Sequence, residues 1–140
     1  MAREAGLTLP EFGRYAADHP EVDAELDRRL AERAREGGVV VESRLAGWIA
    51  HNEGLAAVAA WIDCDPAVRA ERVAAREGVT AARARAENDE RQTIERARYR
   101  ALYGLDLDDL SIYDLVLDSV ELGPAELADR IVEAAHKQLA

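Results

Sequence analysis

The chain has 140 residues, enough for one domain with a real core, and 49% of them are hydrophobic, which excludes a disordered segment. A formal net charge of −10 argues against binding nucleic acid through phosphate contacts. No apolar run approaches the roughly 20 residues of a membrane span, and no signal-peptide core follows Met1. The single cysteine, Cys64, rules out an internal disulfide, fits a reducing cytoplasm and reads as a small core hydrophobe. Lys137 is the only lysine, so every other cation is arginine, whose planar fork can hold phosphate through two hydrogen bonds.

Residues 9–36 read as helix. Pro10 suits a first turn, and Phe12, Tyr15 and Ala16 recur at helical spacing. His19-Pro20 interrupts the pattern, because a residue before proline avoids the α region. A second helix follows, with Val22, Leu26 and Leu30 on one face and Asp23, Asp27, Arg28 and Arg29 elsewhere. Gly37-Gly38 ends it in the left-handed conformation. Three valines, 39–41, then read as a strand buried on both faces. Glu42, Ser43 and Arg44 stand at its carboxyl end, where open α/β sheets bind ligands; a surface salt bridge at a strand end is the plainer alternative.

Residues 51–54 (HNEG) read as a loop, and residues 55–63 (LAAVAAWID) as a second strand. Pro66 opens a helix carrying Val68, Arg72 and Val73. Gly78 breaks it, and Thr80 caps the next. Residues 81–102 form a long, arginine-dense helix, too polar all round for a core. Its spacing Arg91-x-x-x-Glu95-x-x-Arg98 puts three side chains on one face, which a solvated helix laced by ion pairs would also explain. Residues 112–117 (IYDLVL) read as a third strand, and Pro124 opens a last helix with Leu127, Ile131, Val132 and Ala135 facing inward. Strands separated by helices predict a parallel α/β sheet with covering helices. Two opening helices with no strand before them leave the front of such a sheet incomplete. His19, His51 and His136 lack metal-ligand spacing and read as surface residues, whereas Trp48 and Trp61 read as core packing.

VVVESRLAGW, AVAAWIDCDPAVRAERVAARE and RYRALYGLDLDDLSIYDLVLDS closely resemble archaeal cytidylate kinases, members of the P-loop nucleoside-monophosphate kinases, and the similarity runs through essentially the whole chain. The resemblance implies phosphorylation of CMP or dCMP by ATP with Mg2+, in a cytoplasmic monomer without nucleic-acid or membrane partners. It implies a three-layer fold built on a five-stranded parallel sheet of order 2-3-1-4-5, with a substrate-side helical segment at about 9–36 and an arginine-bearing lid at about 80–105. By the same resemblance Glu42 takes the place of the acid that reaches Mg2+ through water, and Arg44 that of the arginine holding the acceptor phosphate. Gly47 lets backbone approach there, and Ser43 stands where many relatives have glycine. Arg91 and Arg98 become the catalytic arginines, oriented by Glu95. Asp23 and Arg28 resemble the substrate-side helix, and Arg72, Arg76 and Arg96 are weaker, surface or adenine-side positions.

That family also needs a glycine-rich loop ending in Gly-Lys, whose amides cradle the donor phosphates. No glycine in these 140 residues is followed by lysine. The resemblance places that loop upstream of Met1, together with the second strand and the first, central one. The expectation is a single domain, truncated at its start, that does not transfer phosphate at a useful rate as written. A non-catalytic nucleotide- or partner-binding remnant is the alternative, and a related kinase for another small acceptor is a third reading.

Overall fold

A computed structural model describes the backbone of residues 3–7 and 9–139, and within the first helix no side chain at positions 9, 10, 13, 14 or 17. The expectations that fall on Met1 and on the Pro10 side chain lie outside the described residues. The chain divides into two compact units, Met1–Ala56 and Ala57–Ala140.

The first unit holds α1 (Leu9–Asp18), α2 (Pro20–Arg35) and α3 (Ala46–Asn52). The break between α1 and α2 falls at His19, which sits at φ −131° and ψ 83°, extended as the residue before a proline must be. Its ring Nδ1 donates to the Tyr15 carbonyl at 2.7 Å and stacks on the Tyr15 ring at 3.8 Å. A carbonyl of the last turn of α1 that no helical N–H reaches is thereby satisfied. α2 ends at Gly37 and Gly38, both at positive φ. Ala31 of α2, Leu45 before α3 and Gly47 within it are the buried positions among the described residues of this unit.

The second unit holds β1 (Ala60–Asp63), α4 (Pro66–Glu77), α5 (Ala81–Tyr103), β2 (Leu115–Asp118) and α6 (Pro124–Leu139). The two strands run parallel, with Ala60 opposite Leu115 and Asp63 opposite Asp118. The Asp114 carboxylate accepts from the Ala59 N–H at 2.7 Å while the Asp114 N–H donates back to the Ala59 carbonyl at 2.8 Å, which pins the start of the ladder. Asp65 caps α4 by accepting from the amides of Ala67 and Val68, and Thr80 caps α5 by accepting from Arg83. Gly78 and Gly104 end the same two helices in the left-handed conformation. Ala70, Ala74 and Ala84 form the seam between α4 and α5, with Val73 and Val79 packed against it. The acidic loop after α5 is built from side-chain turns: Asp106 accepts from the Asp108 amide and Asp109 from the Ser111 amide, each at 3.0 Å.

Several expectations need correction. Residues 39–41 form no ladder among the described residues, and Val40 is 99% exposed. A β-branched run becomes a strand only when a neighbour takes its N–H and C=O groups, so the described sheet has two strands and not three. The second strand shrinks from residues 55–63 to Ala60–Asp63, and the third shifts from 112–117 to Leu115–Asp118, because the ladder begins only beyond the Asp114–Ala59 clamp. Trp48 and Trp61 are half-buried and not fully in a core; Trp61 lies against Tyr113 at 5.4 Å. In α6 Leu127 is buried as expected, whereas Val132 is exposed. No helix among the described residues is long and apolar enough to cross a membrane.

The α4–α5 seam works because alanine lets two helices approach closely. Ala84 has 0% exposure, so Ala84→Leu forces side chains or backbone apart. The expected loss is about 1–3 kcal/mol, read by denaturant titration. A variant as stable as the parent would mean that the seam yields more easily than its geometry shows.

Candidate functional site

The predicted site residues fall into two groups, one in each unit. In the first, Glu42, Ser43 and Arg44 are exposed between α2 and α3, just before the buried pair Leu45 and Gly47. The Ser43 hydroxyl accepts from the Leu45 amide at 3.2 Å and turns the chain into α3. Leu45 is only 3% exposed, so it anchors this turn while its polar neighbours face outward.

Asp23 lies in the first turn of α2, where a negative charge meets the positive end of the helix. Arg28 stands one turn further on, clasped between Glu25, at 2.8 Å through both Nε and Nη2, and Glu32. Arg29 bonds the same Glu25 at 2.8 Å and Glu4 at 3.0 Å. The Arg28 guanidinium, with Arg29 beside it, holds the Glu25 carboxyl down to about 2. Arg28 is thus part of a surface ladder of i,i+3 and i,i+4 pairs.

The second group lies on α5. Arg91 Nε donates to Glu95 Oε1 at 2.9 Å, and the two ends of this pair differ sharply in exposure. The Arg91 side chain is 68% exposed and the Glu95 side chain 9%. Glu95 is the one buried charged residue among those described, so its carboxylate is drawn out of water beside a guanidinium that stays in it. Arg98, one turn on, is half-buried, with its guanidinium carbon 5.2 Å from the Tyr99 ring centre and Nη2 donating to the Tyr99 hydroxyl at 3.4 Å. The expected i,i+4 link from Arg91 to Glu95 is therefore present, and the three residues share one helix.

Other contacts had no signal in the sequence because they join distant positions. Arg96 bonds Asp108 at 2.7 Å and ties α5 to the loop that follows it. Arg72 donates to the Ser119 hydroxyl at 3.1 Å and the Ser119 carbonyl at 2.9 Å, and lies 3.7 Å from Cys64 Sγ. Cys64 and Ser119, the two residues that Arg72 reaches from α4, directly follow β1 and β2 at their carboxyl ends. No group of three or more His, Cys, Asp or Glu residues able to hold a metal occurs among the described residues.

Parallel strands joined through α4 and α5, with a buried acid and two arginines along α5, define an α/β protein whose crossover carries its charged face. Residues 4–121 match the cytidylate kinase-like family. The chain belongs to that family. It is 51% identical over 124 residues to a cytidylate kinase of Pyrococcus furiosus, covering 89% of this chain and 63% of that protein. It is 49% identical over 139 residues to a cytidylate kinase of Pyrococcus abyssi, covering 99% and 75%, and 43% identical over 135 residues to one of Halobacterium salinarum, covering 96% and 69%. The chain thus spans 63% to 75% of the length of these relatives. No solved structure matches it.

The ladder around Glu25 has a pH signature. Its folded-state carboxyl lies below the ordinary value of 4.5, so the stabilisation it gives is present above that value and is lost as the pH falls toward 2. A carboxyl-resolved NMR titration should find the Glu25 midpoint well below those of unpaired glutamates, and Arg28→Ala should move it upward. A midpoint near 4.5 in the parent would show that the ladder does not hold in solution.

Proposed function

We propose that this chain carries the acceptor-phosphate side and the lid of a cytidylate kinase, an enzyme that phosphorylates CMP or dCMP to the diphosphate with ATP as donor. The observation that carries the reading is the family match over residues 4–121, which spans both site groups. In this reading Arg44 grips the acceptor phosphate, with Ser43 and Gly47 shaping the turn beside it. Asp23 and Arg28 belong to the substrate-side helices at about 9–36. Residues 80–105 are the lid, and the two units act as one catalytic domain in a cytoplasmic monomer.

The chemistry follows from charge. Phosphoryl transfer spreads negative charge over the equatorial oxygens of the moving group, and arginines fixed in advance stabilise it without reorganising. A guanidinium swings freely unless something holds it. Glu95 supplies that hold for Arg91, and its burial means it cannot follow the arginine out into solvent. Arg98 is restrained by the Tyr99 ring. When the lid closes and water leaves, both guanidinium groups gain strength in the lower dielectric.

Mg2+ keeps most of its waters and takes one or two carboxylates along with substrate phosphates. A lone, exposed carboxylate such as Glu42 fits a water-mediated role of that kind, and the ion would supply neutralisation of phosphate charge. The 140 residues contain no Gly-Lys pair with which to cradle donor phosphates. The alternative reading is that these residues bind nucleotide or a partner without transferring phosphate.

A coupled assay of CMP phosphorylation by ATP and Mg2+ tests both readings, on this chain and on one extended upstream to include a Gly-Lys loop. CDP formation by the extended chain alone supports the first reading. CMP binding without turnover in either supports the second, and phosphorylation of a different acceptor overturns the choice of CMP. In an active protein Arg44→Ala is expected to weaken the use of CMP by about 2 kcal/mol, as loss of a charge-assisted contact should. An unchanged CMP dependence would remove Arg44 from the acceptor site. Arg98→Ala should lower kcat more than it raises KM, and the reverse pattern would assign Arg98 to ground-state binding.

A further inference from the structure

We propose that Arg69 and Asn88, at one level of the α4–α5 hairpin, form an oxyanion site that takes a phosphoryl group. The site lies in the second unit and uses none of Arg44, Arg91, Glu95 and Arg98. It therefore stands or falls apart from the kinase reading.

The two helices meet through Ala70 and Ala74 of α4 and Ala84 of α5. α5 doubles back on α4 after the turn at residues 78–80, so each step forward along α5 runs back toward the start of α4. Asn88 lies one turn past Ala84 on the same face of α5, and Arg69 adjoins Ala70 in α4. Both residues are half-buried. Arg69 Nε and Asn88 Nδ2 are closed off from solvent, and neither has a hydrogen-bond partner among the described residues. Both atoms are donors, since a guanidinium accepts nothing and neither does an amide nitrogen. Two shielded donors at one level of a helix pair call for an oxygen that the described chain does not supply.

That oxygen is one that carries negative charge. Arg69 forms no ion pair among the described residues. The first turn of α4 holds no acid, although the start of a helix favours an anion and disfavours a cation. Asp65, four residues before Arg69, gives its Oδ1 to the amides of Ala67 and Val68. Arg72, three residues after Arg69, meets the hydroxyl and carbonyl of Ser119 and the sulfur of Cys64, and no carboxylate. Acids are not scarce, because the chain has 28 of them against 18 lysines and arginines, and Arg83 and Arg85 each reach one a turn away. A spot of unbalanced positive charge in so acidic a chain selects an anion. A phosphoryl group suits these donors, because the side-by-side N–H groups of a guanidinium span two of its oxygens and leave another for an amide.

The test follows the Arg69 Nε–H and Asn88 side-chain amide signals by NMR in the full chain. Inorganic phosphate, CMP and ATP are added separately at constant ionic strength, with chloride as the control anion. Both signals should shift with phosphate along one binding curve and stay still in chloride. Arg69→Gln should weaken phosphate binding about tenfold, as loss of a charge-assisted bond does, and Asn88→Leu about threefold. Arg130→Gln, which removes the same charge from α6, should leave the curve unchanged. Tighter response to CMP or ATP than to phosphate would sustain the site and name a nucleotide as the source, whereas equal response would sustain it and name free phosphate. Signals that ignore phosphate, or that move equally in chloride, would overturn the site, as a trapped water between the two side chains would show. Parent-like affinity in Arg69→Gln would overturn it too. Should that variant not fold, Asn88→Leu decides alone, since it keeps the guanidinium and loses only the amide.

Discussion

Two strands that run parallel cannot be joined by a tight turn. The chain must leave the carboxyl end of β1 and return to the amino end of β2, and it uses residues 64–114 to do so. That requirement sets the plan of the second unit. The return path is filled by α4 and α5, held together by alanines, and α5 is the helix on which Arg91, Glu95 and Arg98 ride. The charged face is thus a product of the connection. The clamp between Asp114 and Ala59 matters for the same reason, because it fixes the register on which the crossover depends.

What could be read from the sequence was whatever a few neighbouring residues decide. Pro20, Pro66 and Pro124 open helices, Gly78 and Gly104 close them, and Thr80 caps α5, all by local geometry that needs no partner elsewhere. The Arg91–Glu95 pair was legible on the same ground, being one helical turn apart. The valine run was misread as a strand because its residue types are only half of what a strand needs. The other half is a row of hydrogen-bonding groups that the described chain does not bring to it. The links from Arg72 to Ser119, Arg96 to Asp108 and Arg35 to Glu53 were invisible for a similar reason, since sequence distance hides them. The burial of Glu95 had no signal at all on a helix so polar.

The electrostatics divide along the same line. Several arginines of this acidic chain answer a carboxylate three or four residues away on an exposed helix face, as Arg83 does Glu87 and Arg85 does Asp89. Such pairs are screened by salt and contribute little to stability. Arg91 differs because its partner is buried, so the pair cannot be exchanged for two hydrated ions without cost. Beside these surface pairs, the Arg91–Glu95 pair is one that cannot be exchanged so readily, on the helix that the family reading makes the lid.

The two-stranded sheet has a physical consequence beyond any reaction. Ile62 and Val116, on opposite faces of it, are each about half exposed, and among the described residues each strand has one edge without a neighbour. Edges of this kind template pairing between copies, and here charge repulsion opposes it. Near the sequence isoelectric point of about 4.8 that repulsion vanishes. Mild acidification therefore removes the repulsion that keeps these edges apart, and the colloidal stability of the chain falls with it.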